Sequence, residues 1–220
     1  MTIRTLAITA ALVPALTACA HRAPEIAPQE AFWSALASHC GKAYAGGLAS
    51  EDARDADWQG KRMIAHWADC SPTRIAVAFH VERDAEDGSD PEASGWDRSR
   101  TWLVTKTGTG RAARLTLKHD HRHDDGTPDA VTFYGGITAA PGTARAQDFP
   151  VDAESIALFG REGLAASLTN VWRVEVDPAG TGGAKFAYQL TRKNDPTRLF
   201  RVAIDASTPV PAPPPAWGWE

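Results

Sequence analysis

Three of the chain's seven histidines lie within five residues, at His119, His121 and His123. Residues two positions apart on a β-strand point to the same side of the sheet, so these side chains share one face if the segment is a strand. Leu115 and Leu117 precede them on that face, which marks it as the side turned toward the protein interior. Imidazole nitrogens are common ligands of zinc and related ions. The spacing therefore predicts a candidate divalent-metal site near the mouth of a core or barrel lumen.

Strand geometry limits which of these histidines can act together. Residues four apart on a strand are separated by about 13 Å, too far for His119 and His123 to bind one ion comfortably. A site would use His119 with His121, or His121 with His123, and a third ligand such as His80 or His66 would come from another strand. The alternative is that the segment is the exposed end of a hairpin, where its histidines pair with Asp and Arg side chains across the strands.

Other candidate residues are aromatic. Trp102 and Tyr134 are predicted to line an amphipathic pocket if the domain is hollow. The inner tryptophans as a group (Trp58, Trp67, Trp102 and Trp172) are predicted to belong to the core. The sequence contains no G-x-S-x-G motif and no phosphate-binding loop, so no catalytic residue is predicted.

The elements that must position these residues are mainly strands. Eight runs of strand length are separated by turn residues, at 58–69, 74–82, 100–106, 112–121, 129–138, 171–176, 184–191 and 198–205. Apolar residues at helical spacing predict one short helix over 28–43, and 152–168 is predicted to contain one or two helical turns. The fold class is therefore mainly β, an antiparallel meander that closes into a barrel of about eight strands. This layout loosely resembles lipocalin-like β-barrels.

The first nineteen residues carry the most specific pattern. Arg4 is followed by an apolar run over 6–16, which is too short for a membrane-spanning helix of roughly 20 residues but typical of a secretory signal. Leu16-Thr17-Ala18-Cys19 then resembles the lipobox of bacterial lipoprotein precursors. The resemblance implies cleavage before Cys19 and a diacylglycerol on its sulfur. Ala20, in the place of Asp, implies sorting to the outer membrane, facing the periplasm.

These patterns divide the chain into a signal peptide (1–18), a lipidated tether (19–29), a barrel-like domain (30–208) and a Pro/Trp-rich strap (209–220). With Cys19 assigned to lipid, Cys40 and Cys70 remain as a pair in an oxidising compartment. We expect them to form a disulfide that stabilises the fold by roughly 3 kcal/mol. The alternative is two buried thiols.

The composition of the chain argues against some classes of function. Removal of the signal peptide takes away one of 23 basic residues and leaves 22 against 27 acidic ones, a net charge of −5 that argues against nucleic acid as a partner. The sequence favours a membrane-anchored, non-enzymatic module that binds a small ligand or an envelope protein. Alternatives are a metal-dependent enzyme that uses the strand histidines, a haem-binding barrel and a purely structural protein. The stretch 118–136 is similar to segments of uncharacterised exported bacterial proteins, which implies no activity.

Overall fold

The computed structural model describes residues 26–84 and 95–220 of the chain. The predicted signal peptide, Cys19 and most of the predicted tether lie outside the described residues. The helices are α1 (Pro28–Ala37) and α2 (Ala153–Arg161), with short 3₁₀ segments at Ala53–Trp58, Gly110–Ala112 and Ala165–Thr169. Among the residues described, no helix is long and apolar enough to cross a membrane.

One antiparallel sheet of ten strands makes up most of the described chain, in the order β6-β5-β4-β3-β2-β1-β10-β9-β8-β7. Its edge strands, β6 and β7, meet at a bridge between Gly136 and Val151, so the sheet is a nearly closed barrel. The predicted β meander is confirmed, but the prediction of about eight strands is wrong by two. The strands are β1 (Ala43–Leu48), β2 (Met63–Cys70), β3 (Arg74–Glu82), β4 (Trp96–Thr107), β5 (Arg114–His121), β6 (Tyr134–Ile137), β7 (Ala146–Pro150), β8 (Asn170–Val176), β9 (Lys185–Arg192) and β10 (Asp195–Val210).

The two additional strands, β1 and β7, have sequences that do not alternate between apolar and polar residues. In β1, the pair Gly46 and Gly47 is typical of a turn or loop. Gly46 nevertheless belongs to the strand, because its lack of a side chain allows β10 to approach closely. A Cβ atom at position 46 would lie 2.1 Å from the backbone oxygen of Ala203. Strand β7 is only five residues long and ends in a proline. Its antiparallel pairing with β8 holds it in the sheet.

Helix α1 covers one end of the barrel, which we call the closed end. Its side chains Phe32 and Leu36 are fully buried against the core. Polar contacts fix its first turn: the Gln29 amide donates to the Thr138 hydroxyl over 2.8 Å, and Lys106 pairs with Glu30 over 2.8 Å. Because α1 starts beside the end of β4 and the end of β6, the described chain enters the fold at the closed end.

The helix ends at Ala37, six residues before the predicted boundary, because the chain turns there toward β2. The Gly41 N–H donates to the Trp67 oxygen over 2.9 Å, which is sheet pairing and not helix. Cys40 and Cys70 form a disulfide across this junction, with Cα atoms 6.1 Å apart, as the sequence predicts. The bond therefore ties the segment after α1 to the last residue of β2.

The C-terminal strap, residues 211–220, lies on the outer face of the sheet. The Pro214 oxygen accepts a hydrogen bond from the His80 ring over 2.9 Å, and the Trp219 indole donates to Asp120 over 2.9 Å. As a result His80 and Asp120 are buried although they point out of the barrel. Strand β3 is therefore buried on both faces, one by the core and one by the strap.

Candidate functional site

A cavity of about 340 Å³ occupies the barrel lumen at the end opposite α1, which we call the open end. The residues that line it lie on the halves of the strands that are farther from α1, on the 3₁₀ segment 53–58 and in the region of α2. Eight of its nineteen lining residues are Trp, Tyr or Phe, and each of the eight comes from a different element: Trp58, Phe79, Trp102, Tyr134, Phe159, Trp172, Tyr188 and Phe200. The volume lies at the small end of the range for ligand pockets, roughly 300–1,000 Å³.

Flat stacks of rings form one wall of this cavity. Trp102 lies between Phe79, with ring centroids 4.5 Å apart, and Tyr188, with centroids 4.4 Å apart. Strand pairing explains the arrangement, because Trp102 on β4 lies opposite Val77 on β3, close to Phe79. Together these rings give the cavity an apolar, aromatic wall.

The floor of the cavity holds His119, which is 2% exposed. Its Nδ1 atom lies 3.0 Å from the Tyr134 carbonyl oxygen, and its Nε2 atom lies 2.7 Å from the Tyr188 hydroxyl. A carbonyl can only accept, so Nδ1 carries the proton and Nε2 accepts from Tyr188. Burial lowers the pKa of His119 to about 3, so the ring is neutral at pH 7.

His121 lies above His119 on the same face, as the strand periodicity predicts. Its Nε2 atom shares a hydrogen bond of 3.1 Å with the Tyr134 hydroxyl. Burial, followed by the nearby Arg100 charge, lowers the pKa of His121 to about 4. Burial also raises the pKa of Tyr134 to about 12, so both groups are neutral at pH 7.

The third histidine of the cluster lies outside the cavity. Strand β5 ends at His121, and His123 is exposed in the following turn, beside a second cleft. The structure thus brings His119 and His121 together, with ring centroids 6.4 Å apart, and leaves His123 apart from them. His66 and His80, the third ligands considered, lie under the strap on the outer face.

No metal centre is formed by these residues. Within residues 26–84 and 95–220, no group of three or more His, Cys, Asp and Glu side chains could hold a metal ion. Both nitrogens of His119 are already hydrogen-bonded, so it could bind a metal or haem iron only by giving up its Tyr188 partner.

Charged side chains lie around the mouth of the cavity. Arg198 makes a two-pronged ion pair with Asp55, with N–O distances of 2.6 and 2.8 Å. Arg100 pairs with Asp97, and its guanidinium lies 4.9 Å from the centre of the Trp58 ring. The open end is therefore polar at its rim and apolar within.

The sequence identified part of this lining. Trp102 and Tyr134 both lie where a pocket was predicted, and Trp58 and Trp172 pack in the core while also facing the cavity. Sequence reasoning missed Arg192, although an arginine that continues the face of Tyr188 and Leu190 on β9 is an unusual signal.

Comparisons with protein-family models, curated proteins and solved structures find no match to this chain. Any role of the cavity must therefore be inferred from its own side chains. It combines stacked rings, neutral hydrogen-bonding groups at the floor and guanidinium groups at the mouth. That combination suits the binding of a small, flat, largely apolar molecule.

Proposed function

We propose that this chain is a membrane-anchored lipoprotein whose barrel lumen binds a small, largely apolar ligand without converting it chemically. The observation that carries the proposal is the aromatic cavity of about 340 Å³ at the open end. A filled core would have interdigitated side chains at this position, because protein interiors are normally packed without large voids.

The histidines of the cavity support binding more than catalysis. His119 is held neutral between two fixed partners and has no free nitrogen with which to move a proton. His121 and Tyr134 bond to each other, and both have pKa values far from neutrality. A general acid or base works best with a pKa near the operating pH. These groups are better suited to orient a polar edge of the ligand.

The anchor and the cavity occupy opposite ends of the proposed molecule. The described chain begins at Ile26, next to α1, which covers the closed end. A lipid on Cys19 would therefore hold the closed end nearest the membrane. The mouth of the cavity would then face away from the lipid surface, where a soluble ligand or an envelope protein can reach it.

The binding proposal can be tested with N-phenyl-1-naphthylamine, a neutral probe with one naphthyl and one phenyl group that fluoresces when transferred from water to an apolar site. We expect saturable binding with one site per protein. Ser167 lines the cavity, so Ser167→Trp should reduce the affinity at least about tenfold by filling space. Ser207→Trp, on an exposed position of β10, is the matched control and should bind as the original chain does. Equal binding by both variants would overturn the proposal.

The anchor is tested separately by mass spectrometry of the protein isolated from its native membrane. The proposal predicts a chain that begins at Cys19 and carries diacylglycerol on the sulfur. A chain that retains Met1, or an unmodified thiol at position 19, would contradict the anchor and leave the cavity proposal unaffected.

A further inference from the structure

Three arginines line the aromatic cavity: Arg100, Arg192 and Arg198. Two of them are neutralised by carboxylates of the protein. Arg198 pairs with Asp55 and also with Asp52, and Arg100 pairs with Asp97. Their charges are therefore satisfied without a ligand.

Arg192 differs from the other two. Its Nε atom donates to the side-chain oxygen of Asn170 over 3.1 Å. In the part of the chain that the structure describes, no carboxylate forms an ion pair with it. The neighbouring carboxylate of Asp195 is held by Arg54, with an N–O distance of 2.7 Å. Arg192 thus lines the cavity without an ion-pair partner among the residues described, although the charges of Asp195 and Asp52 lie nearby.

The surroundings of Arg192 are unfavourable for a lone cation. Burial, followed by the positive charges of Arg198 and Arg54, lowers the pKa of Arg192, and the charges of Asp195 and Asp52 offset this only in part. Arg192 is partly exposed, and even partial burial of a charge without an ion-pair partner costs some free energy, part of which an anion bound beside it would recover. A guanidinium also matches the planar two-oxygen edge of a carboxylate, sulfonate or phosphate.

We propose that the ligand of this cavity is an amphipathic anion, with a flat apolar body against the aromatic wall and one acidic group on Arg192. This inference rests on the proposed function and names the class of molecule that the site takes. The aromatic lining of the cavity contacts the apolar body, and the hydrogen bond to Asn170 fixes the position of the Arg192 guanidinium.

Two probes that differ by one acidic group test this assignment. 8-Anilinonaphthalene-1-sulfonate has the ring system of N-phenyl-1-naphthylamine with an added sulfonate. We expect the original chain to bind the sulfonate probe at least about tenfold more tightly than the neutral probe, because the sulfonate can accept a charge-assisted hydrogen bond from Arg192. Arg192→Gln should remove this preference and leave the neutral probe unaffected, and Arg192→Lys should retain part of it.

The control is Arg111→Gln, an exposed arginine beside the closed end, which should leave both affinities unchanged. Thermal unfolding of each variant establishes that it is folded. If both probes bind in competition and are blocked by Ser167→Trp, but Arg192→Gln changes neither affinity, the anion assignment is wrong and the cavity proposal stands. If neither probe binds, or neither is blocked by Ser167→Trp, the proposed function itself fails.

Discussion

The two ends of this barrel have similar apolar and aromatic side chains, but these side chains fill the lumen at only one end. At the closed end, Phe32 and Leu36 of α1 fill the space inside the sheet, and both have no exposed surface. At the open end the rings surround a cavity of about 340 Å³, and Leu164 at its mouth is 38% exposed. The sheet alone therefore does not determine whether side chains fill the lumen. Helix α1 fills the closed end with its side chains, whereas α2 contributes Phe159 to the lining of the open end and leaves the cavity unfilled.

The largest expected effect comes from a matched pair of leucine substitutions. Leu36→Ala should lower the free energy of unfolding by about 2–5 kcal/mol, because it leaves a hole in a fully packed region. Leu164→Ala should cost less than about 1 kcal/mol, because the side chain is partly exposed and borders a cavity. Urea denaturation of both variants measures the difference. Equal losses would mean that the two ends are packed alike.

Removal of the disulfide, which lies at the closed end, is expected to have the next largest effect on stability. Replacing Cys40 and Cys70 with alanine removes a covalent bond between residues 30 positions apart. We expect a loss of about 3 kcal/mol in unfolding free energy, from the greater freedom of the unfolded chain. Probe binding at the open end should persist under conditions in which the variant is folded. A folded variant that has lost binding would show that the two ends are coupled.

The last effect appears only as the pH falls and concerns the floor of the cavity. Because the pKa of His119 is about 3 when folded and near 6.5 when unfolded, the unfolded chain binds a proton first as pH falls. The contribution of this group is therefore complete above about pH 6.5 and is lost toward pH 3, by up to about 1.4 kcal/mol per pH unit.

His119→Gln should remove that part of the slope when unfolding free energies are measured from pH 7 to pH 4. Ser207→Gln is the control, because Ser207 is exposed on β10 and carries no group that titrates in this range, so the slope should not change. An unchanged slope in His119→Gln would mean that solvent reaches the floor, and the open end would then be less enclosed than the structure shows.

Much of the sheet follows from sequence pattern alone. Strand β8 alternates strictly between buried and partly buried residues, and the apolar face of β3 is equally clear. The missed strand β1 depends on Gly46, whose role becomes visible only when β10 lies against it. Local pattern identifies strands in which apolar and polar residues alternate. It misses strands that are held in the sheet by pairing with residues distant in the sequence.

The site was less accessible to sequence reasoning. His119 and His121 attracted attention because they are neighbours, and their shared face was correctly inferred. Their actual partners, Tyr188 and Tyr134, lie 69 and 13 residues away along the chain, so pairing could not be read from spacing. An arginine such as Arg192 becomes informative only once the carboxylates around it are known to have other partners.

The most direct test of the central claim uses the indole N–H signals of the chain's eight tryptophans in an NMR titration with N-phenyl-1-naphthylamine. Trp58, Trp102 and Trp172 line the cavity, whereas Trp33 lies at the closed end and Trp219 in the strap. We predict that the first three signals shift together with one saturation curve, while those of Trp33 and Trp219 do not move. Shifts confined to Trp219, or no shift at Trp102 and Trp172, would contradict a ligand site in the lumen.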